Sequence, residues 1–163
     1  MNQVHLHLLI THLPIFAALC GAIVLAYGLY TKSKETQIAS YLLLILASIG
    51  AGIGYATGEA AEEAVENIAG VADTMIEQHE DFALIALVAI IICGVAALLG
   101  FILAFIRSSF TKTMAIIVLL LSLASFGLVA RTGYLGGQIR HTEVNANAAA
   151  PTQDQQNKEE HEE

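Results

Sequence analysis

Four long segments of apolar residues run through the chain, and shorter polar stretches separate them. They cover about residues 13–30, 38–57, 82–106 and 113–130, and none contains a charged side chain. A helix crosses about 30 Å of hydrocarbon with roughly 17 to 25 apolar residues, so each segment is long enough to span a membrane. Because lipid offers no hydrogen-bond partners, the spanning segments must be helical. The pattern therefore predicts an all-α protein, a four-helix transmembrane bundle within residues 1–141.

The polar connections predict the orientation of this bundle. The two short connections contain Lys or Arg, whereas the N-terminal segment and the connection at 58–81 contain neither. Basic residues concentrate in cytoplasmic loops, which predicts that both termini and the long connection lie outside. Arg131 and Arg140, after the fourth segment, are the only residues that argue against this. The basic residues of the short connections are Lys32, Lys34, Arg107 and Lys112.

The helical pattern continues beyond the apolar segments on the predicted outer side. Apolar residues from Ala61 to Ile76 follow helical spacing with acids opposite, which predicts helices on both sides of a turn at 67–70. One helical step beyond Ile76, His79 is predicted to face the bundle.

After the fourth segment, Gly133, Gly137 and His141 are spaced by four residues. On a continuing helix they share one face, and its lack of side chains would suit a planar ligand. The alternative is that Gly136 and Gly137 end the helix, as glycines often do. The sequence leaves both open.

Composition agrees with a membrane location. Hydrophobic residues make up 56% of the chain and charged residues 13%, against about a quarter charged in soluble domains. The net charge of -8 comes from acids in the 59–81 connection and the tail at 142–163. This polar tail is predicted to be disordered. No basic patch indicates a nucleic-acid partner.

Histidine is the residue type that suggests a function. Five of the six histidines flank the predicted outer ends of the helices, and none lies within a span. Imidazole is a common metal ligand and the usual axial ligand of b-type haem. His12, His79 and His141 could supply a bis-histidine site between helices, and His7 would allow a second pair. Each could instead be an interfacial or solvated side chain, the preferred interpretation for His5, and His79 could bond Glu80 or Asp81. The Cys-x-x-Cys-His motif of c-type haem is absent.

Three motifs resemble a family of small bacterial membrane proteins, domain of unknown function 2231. They are the segment from His7 through His12 and Pro14 to Ile15, His79 with Phe82 and Ala83, and the segment from Gly133 through Gly136 and Gly137 to His141. Leu8 and Leu13 depart from the proline and phenylalanine that the family often has there. The resemblance implies a four-helix bundle in the bacterial inner membrane that binds haem b. Its implied ligands are His7, His12, His79 and His141, beside Gly133, Gly136 and Gly137.

Three functions compete at this point. The first is a haem b protein that passes electrons near the outer face, between a quinol or membrane redox enzyme and an external acceptor. The second is a non-haem copper or zinc protein, whose histidines bind with nearby acids. The third is a structural subunit of a membrane respiratory complex. A homo- or hetero-oligomer is compatible with each. No catalytic motif, such as a Ser/His/Asp arrangement or a P-loop, indicates an enzyme.

Overall fold

The computed structural model describes residues 2–65, 71 and 73–140 of the chain, and this part consists of helices and turns without a strand. The predicted turn at 67–70, His141 and the tail at 142–163 lie outside the described residues. The described residues form six helices: α1 (Gln3–Ile10), α2 (His12–Tyr30), α3 (Lys34–Ala56), α4 (Gly58–Glu63), α5 (Asp73–Phe105) and α6 (Thr111–Arg140).

Four helical stretches are long and apolar enough to cross a membrane, which confirms the four predicted spans and indicates a multi-pass membrane protein. They are Gln3–Tyr30, Lys34–Ala56, Asp73–Phe105 and Thr111–Ile139. The first combines α1 and α2, which Thr11 separates. Pro14 explains this interruption, because it has no N–H to donate to the carbonyl of Ile10.

The helices form a four-membered ring in which α2 packs on α3, α3 on α5, α5 on α6 and α6 on α2. Close approach depends on small residues, as is usual in membranes. A Cβ at Gly100 would lie 2.8 Å from Cζ of Tyr41, and one at Gly94 would overlap Ser48. A Cβ at Gly21 would lie 2.7 Å from a methyl carbon of Leu44. At each of these glycines a side chain of a neighbouring helix therefore packs directly against the helix backbone.

The two hairpins, α2–α3 and α5–α6, turn in the same way. Lys32 and Arg107 adopt φ of 55° and 56°, the left-handed conformation in which glycine commonly ends a helix. The serine after each donates its N–H back across the last turn, Ser33 to the Gly28 carbonyl and Ser108 to that of Leu103, both at 3.0 Å. Each hairpin thus uses one Schellman turn with a basic residue at the left-handed position.

Several helix ends differ from the predicted spans. α5 begins at Asp73 and α6 continues to Arg140, because their added turns bury Ile76, Leu135 and Ile139. α6 passes through Gly136 and Gly137, so the interpretation that these glycines end the helix is wrong. The second span does not continue without a break: α3 ends at Ala56, and the short α4 follows Thr57.

Candidate functional site

His79 lies on α5 and faces α6, as the apolar pattern predicts. Its Nδ1 is 3.1 Å from the carbonyl oxygen of Thr132, and the ring is half-buried. A Cβ at Gly136 would lie 3.0 Å from Cε1 of His79, so this glycine makes room for the imidazole. Because a carbonyl only accepts hydrogen bonds, Nδ1 must carry the hydrogen. In the neutral ring, Nε2 therefore keeps its lone pair.

His7 lies on α1 and makes the equivalent contact with α3. Its Nδ1 is 2.9 Å from the carbonyl oxygen of Gly54 and 3.3 Å from Oγ1 of Thr57. The hydroxyl of Thr57 itself donates to the helix carbonyls of Ile53 and Gly54, so it can accept from the imidazole. A Cβ at Gly58 would lie 3.8 Å from Cε1 of His7. This ring, too, holds its hydrogen on Nδ1.

The same arrangement therefore occurs twice at one end of the bundle. In each case an imidazole donates to the carbonyl of a residue on another helix. The ring also lies beside the glycine that is four residues after that carbonyl. Both rings lie at the end of the bundle opposite the two hairpin turns. The structure thus has a histidine on each half of the chain at this end, with both Nε2 atoms not used in these bonds.

The other predicted ligands are placed differently. His12 is exposed, and its Nδ1 lies 2.9 Å from the carbonyl oxygen of Leu8, one turn earlier in the chain. His5 is also exposed. His141 lies outside the described residues. Of the predicted candidates that the structure describes, His7 and His79 are the two whose rings hydrogen-bond to a helix that is distant in sequence.

The glycine face of α6 is not the continuous flat surface that the spacing predicts. A Cβ at Gly133 would lie 2.7 Å from Cδ1 of Ile15, so α2 fills this space. Gly136 accommodates His79, whereas Gly137 faces open space with no atom within 4 Å of a Cβ placed there. Of the two glycines in the predicted face, Gly133 is covered by α2 and Gly137 is open. Gly136, which is covered by α5, lies beside that face.

An acid pair lies beside this end of α5. The carboxyl groups of Glu62, on α4, and Glu80, next to His79 in sequence, share a hydrogen bond. The bond, together with desolvation and repulsion between the two carboxylates, raises the pKa of Glu62 above its usual value. Glu62 therefore keeps its proton to a higher pH than an ordinary glutamate does.

Arg131 forms a contact that sequence spacing did not predict. Its guanidinium carbon lies 5.7 Å from the ring centre of Phe82 and 5.3 Å from that of Tyr134. These cation–π distances link α5 to α6 beside Thr132, the partner of His79. The sequence features that could have indicated this contact are Phe82 at the start of the third apolar segment and Arg131 directly after the fourth.

The donor set limits which metals this site could hold. Among the described residues, no three His, Cys, Asp or Glu side chains form a group that could bind a metal ion. Structural and catalytic zinc sites take three or four protein ligands. Haem iron already has four porphyrin nitrogens and takes at most two axial ligands from the protein. Two imidazoles are a number of protein ligands that haem iron can take.

No protein-family model, curated protein or solved structure matches this chain. The resemblance to domain of unknown function 2231 therefore depends on its three short motifs and stays a prediction.

Proposed function

We propose that this protein is a membrane haem b protein that transfers electrons, with His7 and His79 as the axial ligands. The observation that carries the proposal is the matched pair of imidazoles, each with Nδ1 directed at a backbone carbonyl. Histidines that bind a metal commonly donate their second ring nitrogen in this way, which fixes the tautomer and the ring orientation. Four-helix bundles hold such cofactors between facing helices.

The residues around the pair suit this role. The carbonyls of Gly54 and Thr132 keep the hydrogen of each ring on Nδ1, so Nε2 is the nitrogen available to iron. Gly136 lets the ring of His79 lie close to the backbone of α6. When bound, haem b would supply one-electron redox chemistry. The protein's own residues would orient the two ligands and exclude water from their buried edges.

The proposed orientation assigns this site to the outer face. The histidine end of the bundle is opposite the two hairpin turns, which contain Lys32, Lys34, Arg107 and Lys112. By the positive-inside rule, those turns are cytoplasmic and both termini are outside, in a bacterial inner membrane. A quinol or a membrane redox enzyme would then donate electrons, and an acceptor outside the membrane would receive them.

Absorption spectroscopy tests haem binding directly. Protein expressed with sufficient haem and purified in detergent should show a Soret band that shifts on reduction, and extraction should yield haem b. A colourless preparation would reject the proposal. Metal analysis of the same sample then decides whether copper or zinc is bound instead.

Substitutions test the axial pair. His7→Ala and His79→Ala should each abolish or strongly reduce the haem absorbance. His12→Ala is the matched control, because His12 is exposed and its Nδ1 lies beside its own chain segment. Elution volume and helical circular dichroism verify that each variant is folded. Loss of haem from His12→Ala but not from His7→Ala would show that the pairing is wrong.

Cysteine labelling tests the orientation. Cys20 and Cys93 are replaced first, and single cysteines are then introduced at Glu63 and at Ser109. A membrane-impermeant maleimide should label Glu63→Cys in intact cells and Ser109→Cys only after lysis. The reverse pattern would assign the histidine site to the cytoplasmic face.

A further inference from the structure

The opposite end of the bundle contains a cavity that the haem proposal does not use. Its volume is about 540 Å³, within the range of small-molecule sites, and it opens between the two hairpin turns. Four basic residues line it, two from each turn, and its described lining includes no carboxylate. They are Lys32, Lys34, Arg107 and Lys112. We propose that this basic cavity binds the phosphate group of an anionic phospholipid.

The clustering of charge exceeds what topology alone requires. The positive-inside rule asks for basic residues in the cytoplasmic loops, but not that all four should surround one cavity. Lys32 and Arg107 also adopt the left-handed conformation, which is unfavourable for residues other than glycine, asparagine and aspartate. Both turns thus have a basic side chain at a position where glycine would be less strained.

The cavity wall adds groups that favour an anion. α3 begins at Lys34 and α6 begins at Thr111, and both residues line the cavity. Helix N-termini carry partial positive charge, so two of them add to the four side-chain charges. Gln37, only 8% exposed, also lines the cavity, and one hydrogen of its amide donates to the Gly28 carbonyl. The second amide hydrogen is a further donor of the kind that phosphate oxygens accept.

The surroundings favour a lipid headgroup over a free phosphate ion. The cavity lies where membrane-spanning helices end, and the ends of such helices lie in the polar headgroup region of a bilayer. Tyr30, Phe105 and Phe110 flank the lining residues in sequence and are the most exposed large apolar side chains described, at 86%, 72% and 68%. Such side chains offer apolar surface to acyl chains beside the basic cavity. Basic pockets between membrane helices on the cytoplasmic side are a recognised way to bind anionic headgroups.

Native mass spectrometry of the full chain in detergent tests this inference. Phosphatidylglycerol, phosphatidylcholine and inorganic phosphate are titrated separately. We expect retention of one phosphatidylglycerol at concentrations where phosphatidylcholine is lost, and no comparable retention of inorganic phosphate. Equal binding of both lipids would overturn the proposal. Tight binding of inorganic phosphate without lipid would overturn the assignment to a headgroup.

A charge-matched pair of variants locates the site. The double variant Lys34→Gln with Lys112→Gln should weaken phosphatidylglycerol binding by about fivefold for each lysine. The control, Gln3→Glu with Thr74→Glu, changes the net charge equally at two exposed residues of the opposite end of the bundle and should bind as the original chain does. Lys34→Arg with Lys112→Arg should retain binding, which separates loss of charge from misfolding. Equal loss in the glutamine double variant and its control would overturn the site. Because no histidine changes, failure here leaves the haem proposal unaffected.

Discussion

Nδ1 of His79 lies 3.1 Å from the carbonyl oxygen of Thr132 and donates its hydrogen to it, in a bond that crosses from α5 to α6. The carbonyl oxygen of Thr132 has two lone pairs, so it can accept a hydrogen bond from the imidazole as well as one from its own helix. The geometry depends on Gly136, which lets the ring approach α6 closely. Thr132 and Gly136 therefore position His79 without being ligands themselves.

Gly136→Ala should displace His79. The new Cβ would lie 3.0 Å from Cε1 and 3.2 Å from Nδ1 of the ring, so the imidazole must shift and its bond to Thr132 must lengthen. Disturbing a group that orients a metal ligand typically costs about 10- to 100-fold in affinity, and we expect a loss of haem affinity of this size. Gly137→Ala is the control, because it meets no atom within 4 Å. Haem titration of the two apo-variants makes the comparison, and equal affinities would contradict it.

Gly94→Ala should destabilise the bundle. The added methyl would overlap Ser48, so α3 and α5 must move apart. Overpacking of this kind costs about 1 to 3 kcal/mol, more than the roughly 1 kcal/mol that alanine gains over glycine in a helix. Gly127→Ala meets nothing within 4 Å and should be neutral or stabilising. Unfolding in a detergent mixture gives both free energies, and a Gly94 variant as stable as the Gly127 variant would disprove the close approach.

Tyr41→Phe should leave stability unchanged or raise it. The ring is fully buried, and its hydroxyl is a buried polar atom with no hydrogen-bond partner in the described structure. An unsatisfied buried group costs about 1 to 3 kcal/mol, and phenylalanine removes the group while keeping the ring. Tyr41→Ala, which also removes the ring, should cost about 3 to 5 kcal/mol. Marked destabilisation by Tyr41→Phe in the same unfolding assay would reveal a partner for the hydroxyl.

The contact between Glu62 and Glu80 should depend on pH. The pKa of Glu62 is raised in the folded protein, so the folded state holds its proton to higher pH than the unfolded state. The contact is therefore strongest in acid and is lost as pH rises from the usual carboxyl value through the raised pKa. Glu80→Gln should lower the pKa of Glu62 in a carboxyl-carbon NMR titration. Glu77→Gln, an exposed acid on the same helix, is the control, and an equal effect of both would exclude a specific pair.

The sequence was sufficient to predict the four spans, because an uncharged apolar segment of this length has few other folds. It did not predict α1. Its two exposed leucines, Leu8 and Leu9, and its two histidines, His5 and His7, do not form a clear amphipathic pattern. The pairing of His7 with His79 was not predicted for the same reason, because only a helical N-terminal segment brings His7 to α3. His79 itself was predictable, because it continues the stripe that includes Ile76.

The extent of α6 shows a different limit. Helical spacing identified Gly133 and Gly137 as one face, but spacing cannot tell which neighbour fills a glycine. Ile15 from α2 occupies the first position, and His79 from α5 occupies the adjacent Gly136. Such contacts depend on how separate helices are arranged, and local sequence contains no record of that arrangement.

Both proposed sites draw their groups from both hairpins, since His7 and Lys34 belong to the first half of the chain and His79 and Lys112 to the second. Each ligand would therefore bridge the halves and hold together the same interface, formed by α3 with α5 and α2 with α6. Two ligands that require the same interface help each other to bind to the extent that this interface opens in the unliganded protein, even at opposite ends of a bundle. Binding of lipid at one membrane surface would in this way raise the affinity for the cofactor at the other.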